Sequence, residues 1–597
     1  MITQAEFENR IEALNQPAID LKKEGTTVVG WQAIVEFLIE LYMAKFRNKN
    51  KPMAIAIDGY VGNDWLAIIE QIGKELTERG LSASFINIEN ALKKQDEIDK
   101  MLQLYLTDDP VFGRIYKKKL VNFFDKSKLA SLITELSKLK KTKNSAPKNF
   151  VICYGTGAAL SSLRKMYDSI FYFDLTRQEV LKRSKYWMQM AGKTQSISPK
   201  KLYYVDFQVN DRHRNRLLEK ADFYIDGNRS DAPKLISSGI LRNVTRALAS
   251  SPFRLKPMYE PGPWGGQWLK KIRNLPDDWI NCAWSFEVIA QEMSLLVSVQ
   301  GEILDLPWTT FFHFEYDRVM GNIPKRRFGG EFPIRYDYLD TMEGGDLSIQ
   351  VHPPTPYIRK NFNEPYHQGE MYYIVDAKNG TSVNLGINDN TKKEDFHRAA
   401  QLADEKGVKF NYRDYVNSVP SKKHDLLMIP PGTVHGSGED QVVLEISATT
   451  YRYTFKIYDH LRPDLNGIMR PIHVAHAFNV IKWFRRNKWV AQNLVQEPKL
   501  VRSGDGWAEY LIGDRREFFH VVFRLEFERT MEDNTNGNFH VLTLVEGESV
   551  KIVSSEYPSK FFIMHYSETI IVPACLGQYR IKNLGETPCK IAKARLR

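Results

Sequence analysis

The chain has 597 residues, 43% hydrophobic and 26% charged, with 36 glycines and 27 prolines. At roughly 150 residues per domain this predicts three to five domains, and it excludes collagen-like and disordered classes. Four scattered cysteines (Cys153, Cys282, Cys575, Cys589) exclude a disulfide-stapled secreted fold and a cysteine-based zinc finger. The first residues show no basic stretch followed by an apolar run, and no run of about 18 apolar residues occurs, so a cytoplasmic protein with no membrane partner is expected. The net charge is +11. Much of the excess lies between Arg114 and Lys148, where apolar residues recur at helical spacing; amphipathic helices with solvated lysines are predicted, and no nucleic-acid partner.

Taken in chain order, residues 1–250 alternate helical stretches with short apolar runs. Met53–Asp58, Phe150–Tyr154 and Ser169–Asp174 read as buried strands, and Trp65–Ile72 as a helix. That alternation predicts an α/β domain with a largely parallel sheet. A strand running into Asp58-Gly59-Tyr60-Val61-Gly62-Asn63-Asp64-Trp65 sits where a phosphate-binding loop would stand. Such a loop needs a lysine for the terminal phosphates and a Ser/Thr for magnesium. Asn63, Asp64 and Trp65 stand there instead, so the expectation is a non-catalytic domain that loosely resembles a P-loop uridine kinase, with degenerate phosphate chemistry.

Proline and glycine punctuate the chain at Glu260–Gly266, and short β-type runs follow to about Asp459. His473–Trp489 reads as an inserted helix, and a last β-rich block runs from about Phe518 to Arg597. The expected domains are 1–250, 255–470 and 471–597.

The most informative stretch is Ser348-Ile349-Gln350-Val351-His352-Pro353. Alternate strand residues share a face, so Gln350 and His352 present lone pairs about 7 Å apart on one side. Glu370 opens the next apolar strand, and His435 follows the Pro431-Gly432 turn. A neutral N/O set with one carboxylate suits Zn²⁺, and less decisively Fe, Mn or Co.

These phrases resemble type I phosphomannose isomerase, a zinc enzyme of the cupin class. Trp264-Gly265-Gly266, Trp284-Ser285-Phe286-Glu287-Val288, Phe332-Pro333-Ile334-Arg335-Tyr336-Asp337, Leu347–Pro353, Ile429–His435 and Tyr458-Asp459 with Arg462 follow that family's order over about residues 255–597. The resemblance implies a mainly-β double cupin with an inserted helix. It implies one Zn²⁺ held by Gln350, His352, Glu370 and His435, and a hexose-phosphate substrate. It also implies Arg452 as stabiliser of developing negative charge, with Lys456 or Arg462 sharing that role if the register differs, and a catalytic-site glutamate at Glu445. Two positions depart from the pattern: Gln368 and Asp337 stand where lysine is usual, which predicts altered phosphate affinity.

The activity implied is interconversion of mannose 6-phosphate and fructose 6-phosphate through an enediol or enediolate. The proton carrier stays open between Glu445, His367 and metal-bound water. The alternatives are a non-catalytic cupin that senses a sugar phosphate, and a kinase–isomerase fusion. The sequence sets no oligomeric state.

Overall fold

A computed structural model describes residues 19–20, 26–46, 51–141, 149–184, 199–448, 450 and 452–597. They form two compact units. One takes in residues 19–247 together with Ser294–Phe314; the other takes in Leu248–Met293 and Glu315–Arg597.

The first unit is built on a seven-stranded sheet. After helix α1 (Trp31–Phe46), β1 (Met53–Gly59) is buried at every position, which is why it reads as a continuous apolar run rather than an alternating one. Helix α2 (Trp65–Glu78) buries Trp65, Ile68, Ile69, Ile72 and Leu76, a single stripe at helical spacing. The strands β2 (Ala83–Asn87), β3 (Phe150–Tyr154), β4 (Ser169–Asp174) and β5 (Phe223–Asp226) follow, and then β6 (Lys234–Ser237). The order is Val28–Val29, β6, β5, β4, β1, β3, β2, and the pairs from β5 through to β2 are all parallel. β6 runs antiparallel to β5, and Val28–Val29 closes that edge antiparallel to β6.

The loop after β1 is filled by the chain's own groups. Asp58 accepts from the N–H groups of Gly59 (2.7 Å), Gly157 (2.9 Å) and Ala159 (2.8 Å), and lies 2.8 Å from His213 Nε2. Backbone donors that would otherwise be open to an anion are thus held by a buried carboxylate.

A hairpin formed by Ser294–Val299 and Glu302–Pro307 belongs to this first unit, although it lies within the stretch expected to form the middle domain. Its Asp305 N–H donates to Asp226 (2.8 Å), and Thr310 bonds to Asp174. Those two carboxylates end β5 and β4, so the hairpin is tied to the ends of the parallel strands.

The second unit is β-rich. Its strands β7 (Met258–Glu260), β8 (Trp284–Val288), β9 (Ile334–Asp340), β10 (Ile349–Val351), β11 (Glu370–Ala377), β12 (Ser382–Ile387), β13 (Val416–Pro420), β14 (Leu426–Ile429), β15 (His435–Ser437), β16 (Gln441–Ala448) and β17 (Phe455–Tyr458) make two sheets. One has the order β14-β11-β16-β9-β8-β7, the other β13-β12-β15-β10-β17. Two further sheets, of six and four strands, fill residues 499–596. Their core joins Leu525, Leu542, Ile552, Ile570, Tyr579 and Ile591.

The predicted helix over His473–Trp489 is broken. The structure has short helices at Val474–Phe478 and Asn487–Asn493. Between them, Arg485 Nη1 donates to Pro430 O (2.8 Å), Pro431 O (2.9 Å) and Thr433 Oγ1 (2.5 Å), and Lys482 N–H donates to Gly432 O (2.8 Å). These four hydrogen bonds outweigh the local helical preference, because the segment must lie flat on the Pro430–Thr433 turn.

Candidate metal centre

Four side chains converge between the two sheets. Gln350 on β10 is the cross-strand partner of His435 on β15, and Glu370 is the first residue of β11. His352 Nε2 lies 2.8 Å from Glu370 Oε1, and His435 Nε2 lies 3.2 Å from Glu370 Oε2. The Gln350 amide nitrogen is 3.3 Å from His435 Nε2. The ligand atoms of His352, Glu370 and His435 all fall within 4.8 Å of one another, and the three residues are buried. All four positions come from the strand alternation and the Pro-Gly turn that the sequence displays.

The hydrogen bonds fix which nitrogen faces inward. His352 Nδ1 is 3.2 Å from Tyr453 O, and His435 Nδ1 is 2.9 Å from Thr433 O. A carbonyl only accepts, so each Nδ1 carries the proton and each Nε2 presents a lone pair. Lone pairs of two imidazoles therefore face a carboxylate with no proton between them. His352 Nε2 and Glu370 Oε2 have no hydrogen-bond partner.

The charges around this centre make the same point. Arg335 Nε and Nη2 each lie 3.0 Å from an oxygen of Asp337, and Nη2 is 3.2 Å from Glu445 Oε1. Across the sheet, Arg335, Ser447 and Glu370 form one row, and Asp337, Glu445 and Tyr372 the next. One guanidinium faces the carboxylates of Asp337, Glu445 and Glu370, and all four residues are buried. Buried charge is stable only when paired, and a divalent cation at the lone pairs would close the balance. Burial accordingly pushes Asp337 up to about 6, against the pull of Arg335, and raises Glu445 well above its ordinary value. Donor type, orientation, orphaned atoms and charge all fit a metal ion.

About half of the chain is similar to mannose-6-phosphate isomerases. The probable mannose-6-phosphate isomerase GmuF of Bacillus subtilis (strain 168) is 27% identical over 277 residues, 45% of this chain and 78% of that protein. Mannose-6-phosphate isomerase ManA of the same strain is 27% identical over 346 residues, 57% of this chain and 98% of that protein. The crystal structure of the mannose 6-phosphate isomerase from Bacillus subtilis matches with 20% identity and a TM-score of 0.46, over 58% of this chain and 99% of that one. Residues 30–250 match a family model described as Domain of unknown function (DUF8485).

The remaining candidates around the isomerase-like centre separate. Arg452 precedes β17, with its guanidinium 3.9 Å from Glu364; Thr449 and Tyr451 beside it lie outside the described residues. Lys456, by contrast, stands on β17 directly opposite Gln350. Its ammonium is 3.4 Å from Asp459, which also pairs with Arg462 (3.2 Å) and Arg470 (3.0 Å). Three cations thus share one buried carboxylate, beside a cavity of about 360 Å³ that Asp459, Arg462 and Arg470 line. Burial and the charge of Arg470 push Lys456 down to about 8, although Asp459 opposes the shift. His367 has both ring nitrogens engaged, Nδ1 accepting from Thr355 (2.7 Å) and Nε2 donating to Glu517 O (2.8 Å). Gln368 donates to Glu370 Oε1. The residue that sequence reasoning passed over is Arg335, although its i, i+2 spacing from Asp337 already put both on one strand face.

Among the described residues, no helix is long and apolar enough to cross a membrane.

Proposed function

We propose that the chain is a zinc-dependent aldose–ketose isomerase that interconverts mannose 6-phosphate and fructose 6-phosphate, on a double-cupin second unit. The observation that carries the reading is the buried set of inward lone pairs on His352, Glu370 and His435. The homology to mannose-6-phosphate isomerases supports the same reaction, and the unpaired state of Cys153, Cys282, Cys575 and Cys589 agrees with work in the reducing cytoplasm.

Gln350, His352, Glu370 and His435 would hold the metal. For Gln350 this turns the amide so that Oε1 faces the centre and its N–H₂ faces Ser348 Oγ, now 3.0 Å from that oxygen. The bound ion supplies Lewis-acid charge at the sugar oxygens, where an enediolate would build up negative charge.

The chain's own groups do the rest. Glu445, buried and held by Arg335, would carry the proton between C2 and C1. The Lys456 ammonium offsets negative charge on the face opposite Gln350, with Arg452 as the second cation. Arg462 and Arg470 offer N–H groups to the phosphate end, a role that Gln368 and Asp337 do not take. The closed sheet pair excludes bulk water from the proton carrier.

A coupled assay of the zinc-loaded full chain with mannose 6-phosphate tests the reading. Turnover supports it. Tight binding of the sugar phosphate without proton exchange at C2 in deuterated water would replace it with a sensing role.

A further inference from the structure

The α/β unit holds a cavity of about 460 Å³ that the isomerase reading leaves unused. It opens at the carboxyl ends of β1 and β4, the edge at which parallel α/β sheets bind their ligands, and its size suits a small molecule. Trp31, Asn63, Asp64, Gln71, Phe173 and Arg183 are among its walls. Trp31 and Phe173 stack with ring centroids 6.0 Å apart, giving it an aromatic side.

The hydrogen-bond inventory of these walls is one-sided. Trp31 Nε1 donates to Ser230 O (2.9 Å), and Gln71 Nε2 donates to Glu75 (3.2 Å). Asn63 Nδ2 donates to Tyr60 O (2.9 Å) and Phe173 O (3.3 Å), which also fixes the orientation of its amide. Arg183 donates through Nε to Glu179 (2.8 Å), through Nη1 to Gly62 O (3.1 Å) and through Nη2 to Gly227 O (2.8 Å). The side-chain nitrogens of Trp31, Asn63, Gln71 and Arg183 are thus engaged with the protein, and the Arg183 guanidinium is already neutralised by Glu179.

Acceptors remain. Asp64 stands exposed at the start of α2, where an anion would otherwise sit, and caps the helix by accepting from Ala67 N–H (3.1 Å). Asp231 also lines the cavity, but its carboxylate is already paired with Arg229 (2.6 Å), which leaves Asp64, among the described residues, as the carboxylate without a cation there. A wall of aromatic rings with the Asp64 carboxylate repels phosphate and attracts a ligand rich in N–H donors and positive charge.

We propose that this cavity binds a small planar organic cation of the amidinium or guanidinium class, stacked at Trp31 with its N–H groups on Asp64. The site is independent of the metal centre, so either can fail alone.

Three near-isosteric probes decide it on the full chain by ligand-observed NMR titration: benzamidine, neutral benzamide and anionic benzoate. Benzamidine binds saturably and at least about tenfold more tightly than benzamide, as a charge-assisted bond requires, and benzoate does not saturate. Asp64→Asn keeps the helix cap, since asparagine caps as well as aspartate, and weakens benzamidine about tenfold. Ala67→Trp, on the exposed face of α2 that lines the cavity, abolishes the binding. Benzamide or benzoate binding as well as benzamidine overturns the proposal. So does benzamidine binding that survives both substitutions, or no benzamidine binding at all.

Discussion

Arg335 and Asp337 lie two residues apart on β9 and close a two-pronged ion pair, each guanidinium nitrogen 3.0 Å from a carboxylate oxygen. The same guanidinium reaches Glu445, in the row next to Glu370. A carboxylate at position 337 is therefore tolerated in the pocket because its counter-charge stands beside it on the same strand face. Removing that counter-charge alone, by Arg335→Met, leaves three buried carboxylates together and should destabilise the metal-free protein by about 3–5 kcal/mol. Denaturant unfolding measures it. Moving the charge instead, with Arg335→Met and Asp337→Lys together, should restore most of the loss; a double variant no better than the single one would refute the account.

The ligand assignment has a direct chemical test. His352→Ala and His435→Ala should each lose most bound zinc after dialysis, measured by elemental analysis, while circular dichroism stays that of the parent. Full zinc occupancy in either variant would show that the imidazoles are not ligands.

Lys456 and Arg452 should separate in kinetics. Lys456 faces Gln350 across β10 and β17, so Lys456→Met should lower kcat about a hundredfold or more, the scale set by removing one preorganised charge partner. Arg452→Met should cost less. Steady-state assays of both variants measure the difference, and equal losses would refute the ranking of Lys456 above Arg452.

Two buried histidines give a pH dependence of known sign. Burial pushes His520 down to about 4 and His540 down to about 3, from an ordinary value of 6.5. Between about pH 4 and 6.5 the unfolded chain binds protons that the folded chain refuses. The stabilising contribution of a neutral His520 is thus complete above pH 6.5 and falls as pH drops through that window, by of order 3 kcal/mol. Buried acids such as Asp337, pushed up to about 6, act with the opposite sign. Comparing urea unfolding of the parent and His520→Gln at pH 7 and pH 4.5 isolates the histidine: the variant should lose less stability on acidification.

The α/β unit should not use ATP. Asp58 occupies the backbone donors of Gly59, Gly157 and Ala159, and Asp64 occupies the start of α2. Calorimetry of the full chain with ATP and magnesium should show no saturable heat; micromolar binding would mean that cations not engaged in these bonds serve the phosphates.

How far the sequence led depended on the range of the interactions. The α/β strands were readable because buried parallel strands are continuous apolar runs, as in Met53–Gly59. Gln350, His352, Glu370 and His435 were readable because period-two alternation and a Pro-Gly turn are local signals. That Lys456 stands opposite Gln350 was not legible, since it follows from pairing across two strands. The hairpin at Ser294–Pro307 was read with the β region because its partner, Asp226, lies far away in sequence. The helix predicted over His473–Trp489 had the right periodicity, but Arg485 and Lys482 are committed to a turn some fifty residues earlier.

That last attachment bears on how the metal centre is assembled. Arg485 bolts the Pro430–Thr433 turn in place from outside the ligand set, and Thr433 O in turn orients the His435 ring. The socket is therefore shaped by protein-to-protein bonds before any ion arrives. Exchange of the ion is then a matter of ligand substitution rather than of folding, in contrast to small zinc domains that collapse when stripped. A chelated sample should keep its near-ultraviolet circular dichroism and regain zinc without a refolding lag.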